Sequence, residues 1–252
     1  MPMALTKRLI LSWVNRIYDP LGLISPFIIR AKILMQKLWL NTNQKLGWDD
    51  PISTDLQGEW NQFFIDMFEA ENICFRRCVK PTGASQELPL LIIFCDSSEL
   101  AFACSAYIRW KLLNGTYKSS LLISKTHVAP LRPITIVKLE LNSARLGSRL
   151  KSLIEEETRL KFRKCYLIVD SEITLGMIQK DSHKLNSYYG VRIGEIHERT
   201  NATDWYWTCS DNNIADWATR GRSPRELHRN SMWQSRPSFL SLPELCDKSS
   251  KY

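Results

Sequence analysis

Two continuous apolar runs in the chain each end on an aspartate. The first run spans residues 90–95 and ends at Asp96, and the second spans residues 165–169 and ends at Asp170. A continuous apolar run between polar or turn residues is typical of a strand that is buried on both faces. Each aspartate alone could simply begin a turn or cap the next helix. Together, the two runs favour carboxylates that lie side by side at one end of a sheet.

The segment after Asp96 predicts two further strands. Residues 102–110 have the two-residue period of a half-covered strand. Asn114-Gly115 is a signal for a two-residue hairpin turn, and it leads into a third strand near residues 117–124. We therefore expect three antiparallel strands in this part of the chain.

A long helix is predicted between the two aspartate strands, from residue 134 to about residue 159. Glu140 lies beside its apolar stripe, and the residues one turn further on, Ser143 and Ala144, are small. A glutamate with small neighbours near the start of a helix can approach a sheet end closely. An ordinary surface glutamate would place no demand on the size of the neighbouring residues.

The remaining elements are shorter. The pattern predicts a helix near residues 172–179, a strand over 205–209 and a last helix over 214–218, whereas residues 180–189 show no clear periodicity. Asp216 lies in the first turn of the last helix. An acid in the first turn interacts favourably with the helix dipole. This interaction alone would be sufficient to explain an aspartate at this position.

The N-terminal part predicts helices. Thr6 can cap a helix that continues to Tyr18, and Ser25-Pro26 starts a second helix that continues toward Leu40. The basic residues of the second helix could follow a phosphate backbone, although a solvated helix face explains them too. These residues are Arg30, Lys32 and Lys37.

A third helix and a domain boundary are predicted next. Asp49-Asp50 could suggest a polymerase metal site, but the proline that follows favours a surface turn. An aromatic stripe over residues 60–67 predicts a helix packed on a core. The polar, turn-rich residues 80–87 predict a boundary between a helical segment, 1–80, and a domain over 88–221, which is followed by a C-terminal tail, 222–252.

Composition and charge narrow the class of protein. The chain has 252 residues, is 44% hydrophobic and carries a formal net charge of +8, which fits a globular protein with a polyanionic partner. The apolar stretches are too short to cross a bilayer, and no secretion signal is expected. Seven cysteines without a Cys-x-x-Cys pair indicate a reducing, intracellular compartment.

The order of the predicted elements and acids matches that of the RNase H fold. Several sequence blocks resemble the RNase H-like region of Pao-type (BEL/Pao) LTR retrotransposon polyproteins. The segment upstream resembles the end of the reverse transcriptase in the same polyproteins. The most specific block is Asp19-Pro20-Leu21-Gly22-Leu23-Ile24-Ser25-Pro26. Other similar blocks are Gly47-Trp48-Asp49-Asp50-Pro51, Phe94-Cys95-Asp96-Ser97-Ser98, Leu139-Glu140-Leu141, Val169-Asp170-Ser171, Asp211-Asn212-Asn213-Ile214-Ala215-Asp216 and Thr219-Arg220-Gly221.

The resemblance implies an α/β fold with a mixed five-stranded sheet and flanking helices, preceded by a small helical domain. It implies a metal-dependent endonuclease that cuts the RNA strand of RNA–DNA hybrids and uses two Mg²⁺ or Mn²⁺ ions. Asp96 would bridge both ions, Glu140 and Asp170 would complete one site, and Asp216 would complete the other.

The resemblance also implies partners and a location. The partners would be the hybrid and the polymerase part of the same polyprotein, of which this chain would be a fragment. The expected location is the cytoplasm, including virus-like particles, or the nucleus.

Some positions depart from the family pattern. They include Ala103-Cys104, Val137-Lys138 and Asn142-Ser143, and the pattern near Trp233 lacks its usual glycine. No histidine occupies the loop before the last helix, and His127, His183 and His197 have no assigned role.

Two alternatives therefore stay open. One is a catalytically silent module that binds nucleic acid or supports the polymerase. The other, an integrase or transposase core, would need a glutamate on a late helix, where this chain has Asp216.

Overall fold

The computed structural model describes residues 4–40, 46–235 and 237–242, so the predicted segments 1–80 and 222–252 lie partly outside the described residues. The helices are α1 (Lys7–Val14), α2 (Ser25–Leu40), α3 (Thr54–Ala70), α4 (Ile136–Glu157), α5 (Glu172–Ile178), α6 (Ser187–Arg199), α7 (Asp216–Arg220) and α8 (Met232–Ser235). The strands are β1 (Leu90–Ser97), β2 (Ala101–Lys111), β3 (Tyr117–Val128), β4 (Lys164–Val169) and β5 (Trp205–Trp207).

The five strands form one mixed sheet in the order β3-β2-β1-β4-β5. The β1–β2 and β2–β3 pairs are antiparallel, whereas β1–β4 and β4–β5 are parallel. β1 is the central strand and is buried along its whole length, as its unbroken apolar sequence requires. The predicted mixed five-stranded sheet, with Asp96 and Asp170 at the same end of neighbouring strands, is confirmed.

Several element boundaries differ from the prediction. Helix α1 ends at Val14 because the amides of Arg16 and Ile17 bond to carbonyls three residues back, which turns its predicted last part into tighter turns. Strand β3 is longer than predicted, and β5 has only three residues. Helix α6 was not predicted. Its buried residues Ile193 and Ile196 belong to the core on one face of the sheet.

The side chains of β1 alternate between two cores. Leu91, Ile93 and Cys95 share one core with α4 and α6, whereas Ile92 and Phe94 share the other with α2, α3 and the C-terminal segment. Helix α4 comes very close to β1 at Gly147. A Cβ atom added at this position would lie only 2.3 Å from Cys95 Sγ. Ser143 and Ala144 are fully buried at the same contact. The small residues therefore bring the start of α4 against the sheet end.

The Asp-Pro-Leu-Gly-Leu-Ile-Ser-Pro block joins three parts of the fold. Asp19 accepts hydrogen bonds from backbone amides just before α2, one of them that of Leu23 at 2.8 Å. The carbonyl of Leu21 accepts a bond from the Ser124 amide on edge strand β3. The carbonyl of Leu23 accepts a bond of 2.7 Å from Trp233 Nε1. The block therefore links α2, the sheet edge and the C-terminal segment.

The helices before the sheet pack onto it. The aromatic stripe of α3 is buried as predicted, since Trp60 and Phe63 are inaccessible to solvent within the core that contains Ile92 and Phe94.

The domain boundary near residues 80–87 stays a prediction. Within the described ranges, no helix is both long and apolar enough to cross a bilayer.

We expect Gly147→Ala to destabilise the protein by about 1–3 kcal/mol, because the added methyl group overpacks the contact between α4 and β1. The matched control is Gly176→Ala, a helical glycine with open space around its Cα. This control should be neutral or stabilising by up to about 1 kcal/mol. Urea unfolding of both variants measures the difference, and equal stabilities would contradict the close packing.

Candidate metal centre

Asp96 lies at the end of the central strand, where it is only 4% exposed. It pairs with Ala103 of β2, and its Oδ2 accepts a hydrogen bond from Thr219 Oγ1 of α7. The apolar run before Asp96 forces its backbone into the sheet, so the carboxylate is held at a fixed place with little contact with water.

Glu140 and Asp170 reach the same place from two other elements. Asp170 directly follows β4, the parallel neighbour of β1, and Glu140 lies near the start of α4, which packs on β1. One carboxylate oxygen from each of Asp96, Glu140 and Asp170 lies within 4.8 Å of the others. Three elements that are distant in sequence thus converge on one acidic cluster, which we call the triad.

Two oxygens of the triad lack a partner. Among the described residues, Glu140 Oε2 and Asp170 Oδ1 are buried without a hydrogen-bond donor. A buried carboxylate oxygen without a partner is costly, and a cation is the group that would compensate several such oxygens together. Hard carboxylate oxygens are also the ligands that Mg²⁺ and Mn²⁺ prefer. The triad therefore fits a divalent cation.

Burial and mutual repulsion raise two pKa values in the triad. The pKa of Asp96 is raised to about 8, mainly by burial and further by the charges of Asp170, Glu140 and Asp216, while the Thr219 hydrogen bond opposes the shift. The pKa of Glu140 is raised to about 7 by burial and by the charge of Asp170, while the nearby Ser97 hydroxyl opposes the shift. Strongly raised pKa values in a carboxylate cluster are typical of functional sites.

Asp216, the fourth predicted acid, lies outside the triad. It is the first residue of α7, and its carboxylate pairs with Arg220 one turn later and lies 3.9 Å from Arg222 Nη2. Its charge still raises the pKa of Asp96, so it is a near neighbour of the triad. The structure therefore brings three of the four predicted acids together and places the fourth beside them, in contact with arginines.

Polar residues that sequence reasoning missed hold α7 next to the triad. Thr219 contacts Asp96 directly, and Asn213 Nδ2 donates a bond of 2.9 Å to the Cys95 carbonyl on β1. Thr126 Oγ1 on β3 donates to the Ala218 carbonyl at 2.9 Å. Both Asn213 and Thr219 belong to sequence blocks that resemble the family, and this resemblance is the feature of the sequence that could have indicated them.

The histidines have other surroundings. His127 stacks on Phe102 with ring centroids 5.4 Å apart, and His197 Nε2 lies 2.7 Å from the Ile178 carbonyl. His183 is an exposed residue of a 3₁₀ turn. Within the part of the chain that the structure describes, no histidine belongs to the metal-ligating cluster.

The three basic residues of α2 that were predicted to bind nucleic acid all have partners within the protein. Arg30 Nη1 lies 2.7 Å from Asp66 Oδ2, and Lys37 Nζ lies 2.6 Å from Glu59 Oε2. Lys32 Nζ donates to the Thr126 carbonyl at 3.1 Å, and burial lowers its pKa. Contact of these residues with phosphates stays a prediction.

Solved structures that match part of this chain include RNase H1 from the halophilic archaeon Halobacterium salinarum NRC-1. It is 10% identical, with a TM-score of 0.30, and the match covers 50% of this chain and 89% of that chain. The N-terminal RNase H domain of rv2228c from Mycobacterium tuberculosis, solved as a fusion with maltose-binding protein, has the same identity and TM-score and covers 57% and 94%. No curated protein matches the chain.

The mixed five-stranded sheet with flanking helices, and with acids at the ends of its two central parallel strands, defines an RNase H-like fold. Residues 6–171 match the family model of the Pao retrotransposon-like RNaseH-like domain. The chain belongs to this family. The matched segment includes the whole triad and ends before Asp216.

We expect the metal-free protein to lose stability as the pH rises from about 5 to above 8. The folded state keeps protons on Asp96 and Glu140 up to about pH 8 and about pH 7, whereas the ordinary pKa values are 3.8 and 4.5. The stabilisation is therefore complete at low pH and is lost as the pH rises through the folded-state values. The melting temperature in EDTA should fall by roughly 5–10 °C over this range.

Asp96→Asn is the control for this pH dependence, because an amide does not titrate. The variant should have a clearly flatter melting-temperature profile between pH 5 and pH 8.5. Acids with lowered pKa values, such as Glu195, act in the opposite direction but titrate at lower pH. Parallel profiles for the two proteins would contradict the raised pKa of Asp96.

Proposed function

We propose that this protein is a metal-dependent endonuclease that hydrolyses the RNA strand of RNA–DNA hybrids, as part of a Pao-type retrotransposon polyprotein. The observation that carries the proposal is the triad of Asp96, Glu140 and Asp170, which has two buried oxygens without a hydrogen-bond donor among the residues that the structure describes. Carboxylates in such an arrangement are unfavourable without a cation, so a purely structural role for them has little physical support.

The four acids have distinct roles in this proposal. Asp96 is the shared ligand because it lies centrally in the sheet and is oriented by Thr219. Glu140 and Asp170 complete one cation site, and Asp216 contributes to a second. These acids would hold two Mg²⁺ or Mn²⁺ ions, which supply water activation and charge stabilisation at the leaving 3′ oxygen when bound.

The substrate is a polyanion, and the net charge of +8 favours its approach. Lys32 and Lys37 are candidates for phosphate contacts, because an ammonium group has three donors and can bind a phosphate beside its internal partner. Lys37 is the more accessible of the two, with a side chain that is 45% exposed. The polymerase region of the same polyprotein is the proposed protein partner.

The test of the proposed function is cleavage of a labelled RNA–DNA hybrid in the presence of Mg²⁺ or Mn²⁺. Asp96→Asn should reduce the rate by on the order of 10³ or more, because it removes the shared ligand charge while it keeps the shape. The matched control is Asp49→Asn, which changes an exposed acid that pairs with Arg8.

Two results would contradict this assignment. Cleavage that survives Asp96→Asn would mean that the triad is not the reacting centre. Hybrid binding without any cleavage by the unaltered protein would favour the alternative of a catalytically silent module.

Asp216 allows a separate prediction, because its carboxylate is held by a cation of the protein itself. Arg220→Gln removes this competitor and should raise the affinity for Mn²⁺ by up to about five-fold, as expected for a partly exposed ion pair. Calorimetric titration with Mn²⁺ measures the change. Arg225→Gln is the control, because Arg225 pairs with Glu69 and not with Asp216. A lower affinity in Arg220→Gln would exclude competition at Asp216.

A further inference from the structure

We propose that Arg30 is a positioning residue for the metal centre, and that it acts through Gly221 to hold α7 against Asp96. The inference rests on the proposed function, since it gives a residue far upstream in sequence a role at the same site. It also gives Arg30 a role that differs from direct contact with phosphates.

The first observation is the fit between Arg30 and Gly221. Gly221 directly follows α7 and has a φ angle of 84°, which a glycine adopts at little cost. A Cβ atom at this position would lie 2.7 Å from Arg30 Cγ and 3.4 Å from the Pro26 carbonyl oxygen. The side-chain stem of Arg30 therefore occupies the space beside Gly221 and sets how closely α7 can approach α2.

The second observation is that Arg30 is itself held in place. Its guanidinium lies 2.7 Å from Asp66 on α3 and over the ring of Phe27, with the ring centroid 5.7 Å away. Asp66 is 8% exposed, and Gln62 Nε2 donates to its other oxygen at 2.8 Å. The ion pair with Asp66 and the contact with the Phe27 ring therefore favour the position of the Arg30 side chain beside Gly221.

The third observation is that α7 depends on its neighbours for its position. It has only five residues, so its own backbone bonds stabilise it weakly. The amide of Arg222 donates to the Pro26 carbonyl at 2.9 Å, which ties the end of α7 to the start of α2. Two residues before Gly221, Thr219 donates to Asp96. A shift at Gly221 will therefore move Thr219 and Asp216 relative to the triad.

The contacts favour positioning over phosphate binding for Arg30. Its side chain is 27% exposed, and its charge is already compensated by the more deeply buried Asp66. On the same helix, Lys37 is 45% exposed in an ion pair whose acid is equally exposed. Arg30 and Lys37 thus have different surroundings. Lys111→Ala, which removes a cation from another exposed ion pair, is the control for Arg30→Ala.

The experiment is a double-mutant cycle of Gly221→Ala and Arg30→Ala in the full chain, with calorimetric titration of Mn²⁺. Gly221→Ala should weaken Mn²⁺ binding by about ten-fold, the usual effect of disturbing a residue that orients metal ligands. In the Arg30→Ala background the same Gly221→Ala change should weaken Mn²⁺ binding by only about three-fold or less, because the new methyl group has room there. Gly115→Ala, at a φ of 81° with open space, is the control for the cost of a positive φ. The further strain at Gly221, whose ψ is 152°, is common to both backgrounds and cancels in the cycle.

Hydrogen exchange of the Arg222 and Ala218 amides provides a second readout that needs no metal. Both should exchange faster in Gly221→Ala and return toward the unaltered rate in the double variant. Arg30→Met keeps the stem but not the guanidinium contacts, so it should preserve more of the Gly221→Ala effect than Arg30→Ala does. It also provides the comparison if Arg30→Ala folds poorly. Lys111→Ala should leave both readouts unchanged.

The outcomes separate the two proposals. Equal effects of Gly221→Ala with and without the Arg30 stem, or effects no larger than those of Gly115→Ala, would overturn the role of Arg30. Absence of Mn²⁺ binding in the unaltered protein would overturn the proposed function, and the amide exchange rates would then still decide whether Arg30 fixes α7.

Discussion

The convergence of three carboxylates at one buried sheet end is the constraint on which the rest of the structure depends. Burial disfavours the charged form of these carboxylates and their like charges repel each other, and both effects raise the pKa values of Asp96 and Glu140. The cost is offset by the apolar cores on both faces of β1, which hold the backbone of Asp96 in place. Local instability at a functional site, compensated by the surrounding fold, is a common arrangement.

The sheet and the triad could be predicted because their signals are local and strong. The unbroken apolar runs that end on Asp96 and Asp170 identify two buried strands, and parallel pairing then places both acids at the same sheet end. Asn114-Gly115 marks the hairpin, since only a few dipeptides adopt that turn easily. Glu140 could be placed because small neighbours permit a close approach of α4, and Ser143 and Ala144 are indeed buried.

The features that escaped prediction depend on short elements or on partners distant in sequence. Helix α6 follows a polar segment, and its few buried residues form a weak pattern. The bond from Thr219 to Asp96 joins residues 123 positions apart, and no periodicity reveals it. The basic residues of α2 showed their charge but not their partners, so Asp66 could not be inferred as the counterion of Arg30.

The helices before the sheet form part of the surroundings of the site, because they share a core with one face of β1. On that face, α2 contacts α7 at Gly221, and α7 contacts Asp96 through Thr219. Two successive contacts thus connect the N-terminal helices to the central carboxylate. Since packed interfaces transmit small displacements rather than absorb them, a displacement of α2 would reach the triad through Gly221 and Thr219.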